Sequence, residues 1–252
     1  MSSQQLSGST ALVTGASRGF GRGIAIALAG AGANVVGVAR DRARLEELRA
    51  QLGDGFTPVA ADAADPVVAG ALTDAYHPRV LVLAAGAAPL SRPLHRHTWE
   101  TFSSNWNTDV RQVFHWSREA LLRPLEEGSV VIAFSSGAAL RGSPLSGGYA
   151  GAKATIRFVS GYAADESARA GLGIRFVSVL PQLTPATDLG AAAVAAYAQR
   201  QGVDLATYTE NLGPALTPEH AGKAILGLVE APAPGAAAEA YVLTAEGLRP
   251  IP

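Results

Sequence analysis

Tyr149 and Lys153 stand four residues apart, and Ser136 lies thirteen positions before the tyrosine, in the stretch SGAALRGSPLSGGYAGAK. Residues at i and i+4 share one helix face, so a helix opening at Tyr149 sets an ammonium beside a phenol. A cation there favours the phenolate, which suits such a group to pass a proton. Ser136 follows the apolar run 130–134, read as a buried strand, and a loop rich in Gly, Ser and Pro returns its hydroxyl towards the tyrosine. One substrate oxygen then receives two donors. Upstream, the apolar run 11–14 enters Gly15-Ala-Ser-Arg-Gly19-Phe-Gly21 and then a helix with Ile24, Ala27, Leu28 and Ala31 on its apolar face. Glycines let a chain turn tightly and approach a ligand, while the free amides and positive end of the helix suit a pyrophosphate.

These groups need a scaffold, and hydrophobic patterning supplies one. Strands are predicted at 11–14, 34–39, 56–61, 80–83, 130–134, 174–180 and 240–243. Helical patterns separate them: Leu45, Leu48 and Leu52 in one, a start at Asp65-Pro66 in the next, and Ala221, Ile225 and Leu228 in the last, which opens at Thr217-Pro218. From Thr98 a longer helix, with a break, carries Trp99, Phe102, Val110, Phe114 and Leu121. Strands alternating with helices predict an α/β fold, a doubly wound parallel sheet of about seven strands with helices on both faces.

A chain of 252 residues, 48% hydrophobic and 16% charged, suffices for one sizeable core. A single domain is expected over 10–252, preceded by a flexible polar arm over 1–9. A net charge of -1 and a pI near 6.5, with no basic stripe, give no electrostatic case for nucleic acid or an anionic membrane. Small molecules are the expected partners. Cysteine is absent, which removes disulfides, thiolate ligands and cysteine nucleophiles, and no metal is expected. The opening MSSQQLSGST lacks the pattern of a secretory signal and no apolar run reaches membrane-spanning length, so the expected location is cytoplasmic.

Taken together, Thr14-Gly15-x-x-x-Gly19-x-Gly21, Ser136 and Tyr149-x-x-x-Lys153 resemble the short-chain dehydrogenase/reductase family, over nearly the whole chain. The resemblance implies a Rossmann-type fold and transfer of hydride between NADP(H) and a carbonyl or alcohol, with Tyr149 as general acid/base. Ser136 would hold the oxygen, and Lys153 would bind the nicotinamide ribose. The implied cofactor contacts begin in the glycine turn, at Gly15, Ser17, Arg18, Gly19, Phe20 and Gly21. They continue at Arg40, Asp62, Ala63, Ala85 and Gly86, and finish at Tyr149, Lys153, Pro181, Gln182 and Thr184. Ala39 stands where NAD users of the family carry an acid, and Arg40 follows it, so Arg18 and Arg40 are expected to clamp a 2′-phosphate, with NADP(H) preferred to NAD(H).

By the same resemblance, residues 183–216 are expected to form a substrate lid. Leu140, Leu145 and Leu183 with Trp99 lean towards a partly apolar substrate, and Ser136, Tyr149 and Gln182 complete the expected substrate contacts. The helix of Tyr149 and its neighbour, with Val110, Val113, Phe114 and Trp116, carry surplus apolar surface, which implies a homodimer or homotetramer. Three positions depart from the family: Ala84 replaces an Asn, Gln182 a Gly, and Asp109 the catalytic Asn whose main-chain carbonyl holds a water of the proton relay. At Asp109 either the carboxylate comes to Lys153 or it points away and the carbonyl alone matters. The departures motivate a rival, a silent dinucleotide-binding sensor or scaffold, while a third reading keeps the enzyme and has the same Tyr and bound cofactor epimerise or dehydrate instead.

Overall fold

The computed structural model describes residues 6–231 and 239–251. Its first half runs β1 (Thr10–Thr14), α1 (Gly19–Gly30), β2 (Asn34–Ala39), α2 (Arg42–Leu52), β3 (Phe56–Ala60), α3 (Pro66–Tyr76) and β4 (Val80–Leu83). Next come α4 (Trp99–Asn105), a π-helical turn (Trp106–Val110), α5 (Arg111–Leu122), β5 (Val130–Phe134), α6 (Ala138–Arg141) and α7 (Tyr149–Arg169). β6 (Arg175–Pro181), α8 (Asp188–Gln201), α9 (Leu205–Asn211), α10 (Pro218–Glu230), β7 (Glu239–Thr244) and β8 (Gly247–Ile251) complete it.

The strands form one sheet in the order β3-β2-β1-β4-β5-β6-β7-β8, parallel except for β8. Successive strand residues face opposite sides, so a strand apolar throughout needs cover on both. In β1, Ala11 and Val13 join the layer under α1 and α10, whereas Leu12 joins the layer under α3, α5 and α7. Val80 and Val82 against Leu81 and Leu83 in β4 repeat the division. The order reverses between β1 and β4, and that switch opens a crevice at the carboxyl ends of the strands.

Two features add to the sequence reading. β8 is an eighth strand that pairs with β7 across a tight turn, with Thr244 opposite Gly247. Its sequence GLRPI hides it, because Pro250 and Arg249 read as loop, and proline fits only such an edge position. Residues 6–9, expected to belong to a flexible arm, are instead tied down, since Leu6 is buried in the core and the Ser9 hydroxyl donates to its carbonyl at 2.7 Å. Residues 1–5 of that arm, and most of the loop after α10, lie outside the described residues.

Among the described residues no helix is long and apolar enough to cross a membrane, and no three His, Asp or Glu side chains group as metal ligands.

Candidate active site

The crevice is a cleft of about 1260 Å³. At one end lies the glycine turn between β1 and α1. Gly15 has φ +72, and a Cβ there would sit 2.8 Å from the Ala85 backbone; one at Gly21 would sit 2.3 Å from the Gly15 carbonyl oxygen. Only glycine permits this closeness. Arg18, at the N-cap of α1, makes no side-chain capping bond, so the first-turn amides of a 12-residue helix are left to an anion. The turn therefore fits the pyrophosphate of a dinucleotide.

Beside the turn, the Thr14 hydroxyl accepts from the amides of Ala84 (3.1 Å) and Ala85 (3.2 Å) and donates to Gln112 Oε1 at 2.7 Å. Gln112 Nε2 in turn donates to the Ala85 carbonyl. Where Ala84 lacks an amide side chain, Gln112 reaches across from α5 and supplies one. The sequence reading missed this residue, because a lone glutamine in an amphipathic helix reads as solvent-facing, whereas Gln112 is 1% exposed.

Ser136 leaves β5 into the cleft, its Oγ accepting from the Ala138 amide at 3.2 Å. The hydroxyl proton remains available to a substrate oxygen. The adjoining backbone grips α7: Ser135 Oγ donates to the Lys153 carbonyl at 2.7 Å, and Lys153 Nζ donates to the Phe134 carbonyl at 2.9 Å. Tyr149, in the first turn of α7, lines the cleft with its ring centroid 5.6 Å from Lys153 Nζ.

Asp109 brings its carboxylate inward. Oδ2 lies 3.1 Å from Lys153 Nζ, with side chains 1% and 8% exposed, and Oδ1 accepts from the Ala87 amide at 2.8 Å. The Lys153 contact is ionic, since Oδ2 has no partner in hydrogen-bonding geometry. Burial pushes the Lys153 pKa down, but the opposing charges, first of Asp109 and then of Tyr149, reverse this and hold the lysine above its ordinary value. Lys153 is a fixed cation at working pH.

The far wall comes from residues 183–216. Thr187 caps α8, and Asp188 pairs with Arg18 at 3.0 Å across the mouth of the glycine turn. Tyr197, further along α8, makes a short hydrogen bond to Ser143 in the loop before α7, and stacks on Tyr208 of α9 with centroids 6.5 Å apart. Gln182 Nε2 donates to the Pro214 carbonyl at 3.1 Å and Thr184 Oγ1 to the Leu216 carbonyl at 2.9 Å, so the two ends of the excursion are tied together.

The cleft unites Gly15, Ser17, Arg18, Gly19, Phe20 and Gly21 with Arg40, Asp62, Ala63, Ala85 and Gly86. It also gathers Asp109, Ser136, Leu145, Tyr149, Lys153, Pro181, Gln182, Leu183 and Thr184. Leu140 does not line it, because that residue of α6 is turned to solvent; nor does Trp99, which is exposed and stacks on Phe102 instead. Arg44, one turn into α2, lines the cleft beside Arg40 and was missed, its helix position reading as a solvated surface.

A doubly wound sheet, a glycine turn at its switch point and a Ser-Tyr-Lys set in the same crevice define a nucleotide-dependent oxidoreductase. A profile for short chain dehydrogenases matches residues 9–198, and the chain belongs to that family. An uncharacterized short-chain type dehydrogenase/reductase, y4eK, of Sinorhizobium fredii is 32% identical over 229 residues, 88% of this chain and 86% of that one. The serine 3-dehydrogenase of Rhizobium radiobacter is 33% identical over 181 residues, covering 68% and 70%. Among solved structures, the 3-ketoacyl-(acyl-carrier-protein) reductase of Brucella melitensis complexed with NADH aligns with a TM-score of 0.73 and 27% identity, over 90% of this chain and 92% of that one.

Proposed function

We propose that the protein interconverts a carbonyl compound and its alcohol with NADP(H), using Tyr149 as the general acid/base. The observation that carries this reading is the convergence of Ser136, Tyr149 and a buried, charge-fixed Lys153 on the cleft that holds the glycine turn. The nicotinamide, when bound, supplies or takes up the hydride. Gly15 to Gly21 would hold the pyrophosphate, and Lys153 and Thr184 lie where the nicotinamide half would run. In reduction, Ser136 donates to the substrate oxygen and holds it, while Tyr149 releases its proton to that oxygen; in oxidation Tyr149 takes the proton back. Lys153 sets a buried positive charge beside the Tyr149 ring, and Asp109 offsets part of that charge. Residues 183–216 act as a lid over the substrate, fastened by Tyr197 to Ser143 and by Asp188 to Arg18. The test is a screen of ketones and aldehydes with each reduced cofactor, following its absorbance. Tight cofactor binding without turnover of any carbonyl would refute the reading.

NADP(H) is the preferred cofactor because a 2′-phosphate beside Arg18 and Arg40 gains charge-assisted bonds that NAD(H) lacks. Arg44 lines the same end, but its charge is answered by Asp41 at 3.4 Å. Both named arginines are solvent-accessible, and Arg18 shares its charge with Asp188, so the expected preference is about tenfold. Replacing Arg18 and Arg40 together by Ala should bring the dissociation constants of NADPH and NADP-free NADH titrations level. Equal affinities in the wild type would overturn the preference.

The molecule works as a homodimer or homotetramer. Phe114 on α5, and Phe158 and Tyr162 on α7, are 50%, 60% and 65% exposed, although α5 and α7 pack against one another. Burying such aromatic surface against a second copy is favourable. Phe158→Glu with Tyr162→Glu is expected to shift the particle to a monomer by light scattering. A monomeric wild type at micromolar concentration would contradict the assembly.

A further inference from the structure

The end of the cleft away from the glycine turn carries two cations that the reaction does not use. Arg141 closes α6, and Arg200 lies one turn beyond Tyr197 near the end of α8; both line the cleft. Neither side chain has a hydrogen-bond or ion-pair partner among the described residues. The hydrogen bond between Ser143 and Tyr197 clamps the two walls together at this point. Arg141 is two residues before Ser143, and Arg200 is three after Tyr197, on neighbouring helical positions. Both arginines therefore lie on chain segments joined by the same clamp, and both line the cleft.

Among the described residues that line the cleft, no carboxylate is left to answer them. The acids that line the cleft are engaged elsewhere: Asp41 with Arg44, Asp62 with the Ala64 amide, Asp109 with Lys153 and Asp188 with Arg18. The cofactor's phosphates belong to the opposite end. Asp188, at the start of α8, pairs with Arg18 of the glycine turn, and Arg200 is twelve residues along that helix, about 18 Å away at 1.5 Å per residue. Two unpartnered guanidinium groups on facing walls suit an anion, which takes planar, paired donors.

We infer that the substrate carries, besides its reacting carbonyl or alcohol, an anionic group, a carboxylate or a phosphate, that docks between Arg141 and Arg200. This rests on the reductase reading above, and it makes the cleft bipolar: Ser136 and Tyr149 take the reacting oxygen, and the two arginines take the distal charge.

The test compares matched probes on the NADPH-loaded enzyme. Oxo acids of increasing chain length are assayed beside their methyl esters, and dihydroxyacetone phosphate beside dihydroxyacetone. The expected result is a kcat/KM for the charged member at least about tenfold above that of its neutral partner, in the carboxylate series or the phosphate series according to the source of the charge. In Arg141→Gln/Arg200→Gln, with folding checked by thermal melting, that ratio should fall to about one. Turnover of neutral and charged members alike in the wild type overturns the anion site and leaves the reductase standing. Should no carbonyl turn over, the reductase reading fails by itself, and calorimetric titration of the same acids and esters decides the anion site. Acid binding that the double variant loses supports it; equal binding by the two proteins overturns it.

Discussion

Tyr149→Phe is expected to lower turnover by about 100-fold or more while leaving cofactor affinity within about twofold. The substitution removes one oxygen and keeps the ring, whose packing over Lys153 does not depend on the hydroxyl. Ser136 alone would still hold the substrate oxygen, but its Oγ sits on the Ala138 amide, and among the described residues no base is hydrogen-bonded to it to accept the alcohol's proton. The loss should therefore appear in kcat, with KM little changed, because the proton moves only in the transition state. Steady-state kinetics in both directions, with fluorescence titration of the reduced cofactor, separate the two quantities. Near-normal kcat would exclude Tyr149 as the acid/base.

What the sequence made legible follows from local geometry. Tyr149 and Lys153 had to share a face once α7 was recognised, because helical spacing fixes that whatever the tertiary fold. The glycine turn was legible for a similar reason, since Gly15 and Gly21 answer to backbone contacts within one strand-turn-helix unit. Gln112 and the direction of Asp109 were not. Both lie at or just after the π-helical turn Trp106–Val110, where widened winding displaces side chains from the faces that a regular helix assigns. The Arg141 and Arg200 pair was hidden by distance along the chain: the two come from separate helices, whose walls the Ser143 to Tyr197 bond joins. Leu140 shows the converse error, a hydrophobic residue in the right loop whose side chain faces solvent.

Asp109→Ala is expected to cost about 3–5 kcal/mol of stability, because it strips the countercharge from a buried ammonium. Lys153 would retain the Phe134 carbonyl, and the Ala87 amide would lose its acceptor. The pH dependence has a defined sign. Lys153 is held above its ordinary value in the folded chain, so its contribution is complete below about pH 10.5 and is lost as pH rises through the folded value. The deficit of Asp109→Ala in urea denaturation should thus be full at neutral pH and shrink in strong alkali. Asp109→Asn separates stability from chemistry, since an amide oxygen can still accept from Ala87 while the negative charge is gone. With the countercharge to Lys153 gone and its shape kept, kcat for alcohol oxidation should be retained within about tenfold. An unchanged kcat would mean that the carboxylate's charge takes no part in the chemistry, despite lying 3.1 Å from Lys153 Nζ. Complete loss of turnover in a folded Asp109→Asn protein would give the carboxylate a direct part in proton transfer.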